Sequence, residues 1–397
     1  MAFSLSGAVS RVNLHTAIQA LAFNSGGIFF IVYLVKRGLS PSMALIAIAA
    51  IFAVRFCIRP AILPLAIRVG LLPLLLIGNA IMAIQYPILS LVHGLGPALF
   101  ALIGISALAD IVYWPAYNAY FSAVGDAERR GRQTAAREAL TAAAGIIAPL
   151  AGGFALARFG AHGTFAAVAL VQLAAMAPLI GAPNVKIAPR AAGGAFAGLR
   201  LAGLGSILMA CDGWLASGLA FVWQIALFAA LKESYAAYGG AMALAGVVGA
   251  SCGLLIGAHV DFGGGRRAAA LTFLGMTAIV VLRAASLHSP ALAVVANAVG
   301  ALWGGLMVPT STAIYNLAKT APCPMRFWIV GEGGWDIGCV AGSLLAAGLI
   351  SIGVSLAVPL LLTILVLAAS AILVRRYFHQ TGKEKTAASA AVGQPAP

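Results

Sequence analysis

Residues 70–92 read GLLPLLLIGNAIMAIQYPILSLV, 23 positions without one Asp, Glu, Lys or Arg. A helix of that length, rising about 1.5 Å per residue, matches the roughly 30 Å hydrocarbon core of a bilayer. Lipid offers the backbone no hydrogen bonds, so a stretch crossing it must satisfy its own, as a helix does. Working outward, comparable stretches cover 13–35, 41–66, 97–120, 134–157, 161–183, 203–229, 234–256, 268–286, 289–316, 326–348 and 351–375. With 70–92 they make twelve. The chain is expected to be an all-α polytopic membrane protein.

Composition agrees. The 397 residues are 62% hydrophobic, with a mean hydropathy of +1.01 and only ten acidic against 24 basic side chains. A soluble fold has no core large enough to hide so much apolar side chain. A membrane β-barrel would show short alternating segments, which are absent. The first span carries Asn13, His15, Gln19 and Asn24 and no small-residue cleavage site, so it reads as a lining helix, not a signal peptide. The five cysteines have no paired spacing and the six histidines are scattered, so no disulfide framework, metal site or cofactor is implied.

The net charge of +14 suggests nucleic acid only until its distribution is mapped. With the N-terminus inside, seventeen basic residues fall on the inner side and five, including Arg283, on the outer. This positive-inside bias places both termini in the cytoplasm, in what is expected to be a bacterial inner membrane. The same basic loops suit anionic lipid head groups, and nucleic acid is not expected as a partner.

Residues 184–202 are rich in Gly, Ala and Pro and read as a cytoplasmic linker. They divide a six-helix bundle at 1–183 from another at 203–376, with a disordered tail at 377–397. At an offset of 194, Pro115 falls on Pro309, Arg132 on Arg326, Glu138 on Glu332 and Gly70 on Gly264. Six spans per half put both halves in the membrane in the same sense, with a cavity between them near mid-depth.

This layout resembles the major facilitator superfamily of secondary transporters, and short motifs point the same way. Family members carry G-x-x-x-D-R-x-G-R-R after spans two and eight. Here the second copy reads Gly257-Ala-His-Val-Asp261-Phe-Gly-Gly264-Gly-Arg266-Arg267, and the first keeps only Arg68-x-Gly70. The resemblance implies that Arg68, Asp261 and Arg266 latch the halves when the inner side is closed. Gly145-Ile-Ile-Ala-Pro149-Leu-Ala-Gly152-Gly153 looks like the tail of the family's antiporter motif, which implies export and a gating role for Pro149. Physically, Pro149 frees a carbonyl and the glycines permit close helix approach; plain small-residue packing would use the same residues. Gly125-Asp126-Ala-Glu128-Arg129-Arg130-Gly131-Arg132 also looks like a family loop.

Charges at mid-membrane are costly and should face a cavity or a partner. Asp110, Trp114 and Tyr117 are spaced by four and three and can share a helical face, with Tyr113 at its edge. A carboxylate beside aromatic rings suits a cationic or amphipathic solute; the alternative is an Asp paired with Arg55 or Arg59. Asp212 is a second candidate for proton coupling. Glu332 and Asp336 stack four apart and oppose each other's ionisation unless an Arg neutralises them. Arg132 with Glu138, and Arg326 with Glu332, are expected at the inner gate, leaving Asp336 and Gln19 to line the cavity. Arg55 is too deep to escape, whereas Arg59 is near enough to an end to snorkel.

The expected function is secondary transport by alternating access: proton-coupled efflux of a small organic or amphipathic compound, by a monomer. Two alternatives stand beside it. One is uptake of an anionic metabolite at Arg55 and Arg59; the other is a membrane scaffold or enzyme on the same fold. Nothing in the sequence favours an enzyme, and no nucleotide-binding motif is present.

Overall fold

The computed structural model describes residues 7–124, 130–187, 199–259, 265–320 and 324–391; side chains are left undescribed at 122, 130–138, 199–202, 252–259, 265–268, 304–305, 320, 324–326 and 381–391. Eight stretches among the described residues are long and apolar enough to cross a membrane. They begin with α1 (Ala8–Lys36), α2 (Pro41–Val69), α3 (Leu71–Ser90) and α4 (Pro97–Val124). A 41-residue stretch, Ala139–Leu179, is in fact two helices meeting at Gly160, whose φ of +73° ends one and admits the next. These are α5 (130–159) and α6 (161–174). The second half supplies α7 (199–230), α8 (Tyr235–His259), α9 (Gly265–Ala285), α10 (290–320, in three pieces), α11 (Pro324–Ser351) and α12 (Ala357–Ala391). Among the described residues these make twelve helical segments, in the places of the twelve stretches the sequence predicts.

Local chemistry accounts for several ends. Ser40 and Ser289 each precede a proline at the first helical position of α2 and α10. Their hydroxyls accept the backbone N–H of Met43 (3.2 Å) and Leu292 (3.4 Å), satisfying donors that a helix start leaves free. At Gly70, φ is +87°, a conformation that favours glycine, and the chain turns sharply from α2 into α3. Leu71 donates its N–H to Val185, and the Asn184 side chain donates to the Val69 carbonyl while accepting from the Leu72 N–H. The start of the expected linker is therefore docked on this turn; residues 188–198 lie outside the described ones. The last helix also differs from expectation: α12 runs on to Ala391, so backbone helix continues where a disordered tail was expected from residue 377.

Within the first half, α3 packs on α4, and α1 on α5 and α6. Within the second, α7 packs on α11 and α9 on α12. Two seams join the halves: α2 along α11, and α5 along α8. The α5–α8 seam is built from glycine. Gly153 and Gly239 approach so closely that a Cβ on either would stand 3.2 Å from the other's Cα, and a Cβ on Gly246 would meet the Gly145 carbonyl at 2.6 Å. The motif around Pro149 thus lies in the contact between halves, with the Pro149 carbonyl against Gly239. At the end of the seams away from the N-terminus, Tyr238 donates to the Ile28 carbonyl (3.2 Å) and Ser42 to that of Ala347 (2.7 Å). Lys36 pairs with Glu233 there at 3.3 Å.

Candidate functional site

Five charged side chains gather where α2 meets α11 and α4. Arg55 and Arg59 lie four apart on α2, so both point to one face. Asp336, completely buried on α11, receives both: Arg55 Nε donates to Oδ1 at 2.6 Å, and Arg59 donates to Oδ2 through Nε (3.0 Å) and Nη2. Arg59 Nη1 also donates to Glu332 Oε2 at 2.8 Å. The expectation that Arg59 snorkels is corrected: it is 4% exposed, because two carboxylates from the other half hold it. Arg55 reaches back into its own half, its Nη1 lying 3.6 Å from Asp110 Oδ2, and its guanidinium stacks 5.1 Å from the Phe52 ring centroid. If all five are ionised, two positive charges face three negative ones.

Asp110 is the loosest member, with 30% of its side chain exposed. It lines a cavity of about 190 Å³ between α1, α2, α3, α4 and α7. Phe23, Phe52, Tyr86, Trp114 and Phe221 form its aromatic walls, and Gln19, Gln85, Gln224 and Ser106 add polar groups. The Ser106 hydroxyl, one turn before Asp110, is buried with no hydrogen-bond partner. Gln19 and Gln224 make no hydrogen bond among the described residues.

Other expected site residues fall elsewhere. Tyr113 and Tyr117 turn toward α1: the Tyr113 hydroxyl hydrogen-bonds His15 Nε2 (2.8 Å), and that of Tyr117 hydrogen-bonds the Thr16 hydroxyl (2.9 Å). Pro115 falls between Trp114 and Tyr117 and cannot bond back to Ile111, so the face before it need not continue beyond. Asp336 does not line the cavity; two arginines enclose it in the seam. Asp212, half-buried on α7, does not line it either and has no ion-pair partner among the described residues. Arg68 is exposed and forms no ion pair among them. Of the remaining gate residues, Glu332 holds Arg59, Asp261 lies outside the described residues, and the side chains of Arg132, Glu138, Arg266 and Arg326 lie outside them too.

The sequence reading missed Ser106, Gln85 and Tyr86 as lining residues. Ser106 carried a usable signal, its four-residue spacing from Asp110 in an otherwise apolar stretch. It also placed Arg283 on the outer side. The structure buries Arg283 at 5% exposure, donating to the Leu219 carbonyl at 2.6 Å and stacked 4.8 Å from the Trp223 ring centroid. Leu219 belongs to the π-helical turn Ser217–Val222 of α7, and Arg283 has no carboxylate partner among the described residues.

No family model and no curated protein sequence matches the chain. Solved structures do. A POT family transporter in complex with 5-aminolevulinic acid aligns with a TM-score of 0.68 at 12% identity, over 94% of this chain and 96% of that one. The nucleoside transporter NupG aligns with a TM-score of 0.63 at 14% identity, over 96% and 100% of the two chains. The human organic anion transporter MFSD10 (TETRAN) gives 0.64 at 14%, over 94% and 100%. At such identities the likeness establishes architecture. The chain has the major facilitator fold, twelve helices in two six-helix bundles.

Proposed function

We propose that this chain, built on the major facilitator fold, is a secondary transporter that exchanges protons for a small organic solute at Asp110. The observation that carries the reading is the position of Arg55 between Asp336 of one half and Asp110 of the other. With one carboxylate in excess, the cluster has room for one more positive charge, and the carboxylate that opens on the cavity is the place for it. A proton and a cationic group compete for that position, and mutual exclusion at one site is a sufficient basis for exchange across the membrane. Filling the site weakens the hold of Asp110 on Arg55 and strengthens that of Asp336, so occupancy bears on the α2–α11 seam. Alternating access then follows from rocking of the two halves around the midplane site.

The direction we favour is export, supported by the glycine and proline motif of α5 lying in the seam with α8. Both termini are placed in the cytoplasm on the charge bias of the loops, and the monomer is taken as the working unit. Uptake of an anion at Arg55 and Arg59 is less favoured, since both guanidinium groups are engaged by carboxylates and neither lines the cavity.

The test is a ligand screen on purified protein, then flux of any hit into proteoliposomes with and without a pH gradient. Wild type should move the solute faster with the gradient, and Asp110→Asn should lose that acceleration. Equal acceleration in the variant would remove Asp110 from the coupling.

A further inference from the structure

We propose that the cavity beside Asp110 accepts a small arylalkylamine: one aromatic ring carrying a protonated amine on a short chain. This rests on the transport reading and names the solute class for the same site.

Size sets the first limit. A cavity of about 150 Å³ holds benzene, so about 190 Å³ admits one ring and a short arm. The walls set the second. Phe52, Tyr86, Trp114 and Phe221 offer ring faces and edges to an aromatic group, and the same faces attract a cation within about 6 Å.

Charge sets the third. Arg55 and Arg59 are taken up by Asp336 and Glu332, leaving Asp110 with a 3.6 Å contact to Arg55, the neutral indole N–H of Trp114 and the cavity in front of it. A carboxylate ligand would meet Asp110 with like charge, and a neutral one would leave it unmatched. An ammonium group answers it and brings N–H donors for the acceptors nearby. Those acceptors line the cavity: the Ser106 hydroxyl without a partner, and the Gln19 and Gln224 amides without hydrogen bonds among the described residues. A primary amine has three N–H groups for them, whereas a quaternary ammonium has none.

The experiment is isothermal titration of the purified full-length protein with three probes that share a phenylethyl group: 2-phenylethylamine, 2-phenylethanol and 3-phenylpropionate. The amine should bind more tightly than either by roughly 10- to 100-fold, the range of one charge-assisted hydrogen bond. Asp110→Asn should lose that advantage. Gln224→Glu, which adds a second carboxylate to the wall, should tighten amine binding by about tenfold, a gain that does not depend on the Asp110 variant folding. Equal or tighter binding of the alcohol or the acid, or unchanged amine binding in both variants, overturns the proposal. If a non-amine solute shows pH-driven flux that needs Asp110, the transport reading survives and this solute class falls. If the amine binds as expected but no solute exchanges for protons, the class stands and the exchange reading falls.

Discussion

Arg55 and Asp336 come from different halves of the molecule, 281 positions apart, and meet with Nε 2.6 Å from Oδ1. Arg59 closes on the same carboxylate from the next turn of α2. Asp336 is wholly buried, and these two arginines are its ion-pair partners among the described residues. The seam between α2 and α11 is therefore an electrostatic clasp, and most of its strength depends on partners remaining in place.

Asp336→Ala is expected to destabilise the protein by about 3–5 kcal/mol, because it removes the carboxylate that two buried guanidinium groups share and leaves Arg59 only Glu332 and Arg55 only the looser contact to Asp110 among the described residues. Asp110→Asn, at the half-open end of the cluster, should cost about 1 kcal/mol or less. Thermal unfolding in detergent compares the two. Similar losses would mean that the two carboxylates share the clasp equally.

The α5–α8 seam has no space for a side chain at Gly239 or Gly246. Gly246→Val should force the helices apart and cost about 1–3 kcal/mol, the usual range for overpacking. Replacing Gly240 in the same way is the control, since nothing lies within 4 Å of a Cβ there. Unfolding midpoints should fall for the first variant and change little for the second.

Two inter-half contacts at the end away from the N-terminus should differ in weight. Tyr238→Phe removes a buried hydrogen bond to the Ile28 carbonyl and should cost about 1–2 kcal/mol. Lys36→Ala removes an ion pair whose side chains are 40% and 49% exposed, and should change stability by about 1 kcal/mol or less, with a dependence on salt. Urea or thermal titrations at two ionic strengths check both.

Arg283 holds the carbonyl of Leu219 in the π-helical turn of α7. Arg283→Met keeps much of the apolar contact with Trp223 but removes the guanidinium donor from that carbonyl. A loss of about 1–3 kcal/mol is expected. Hydrogen exchange should report faster opening of the amides in 217–222; unchanged exchange there would separate Arg283 from the π turn.

What could be read in the chain alone was whatever depends on a local pattern. Charge-free stretches such as 70–92 need only length and composition to be helices in lipid, so the twelve spans and the matched halves were legible. The burden of a buried charge is also local, so Arg55, Asp110 and Asp336 stood out as residues needing partners. Which partner each took was not legible. Asp110 could be offered Arg55 or Arg59 as a partner, and only the rotation and crossing of α2, α4 and α11 decided that Arg55 bridges Asp110 and Asp336. The same rotations turned Tyr113 and Tyr117 toward His15 and Thr16, brought Ser106 to the cavity, and buried Arg283 against a carbonyl of a π turn. Helix periodicity says which residues share a face; it carries no information on what that face meets, because this is set by packing between segments hundreds of residues apart.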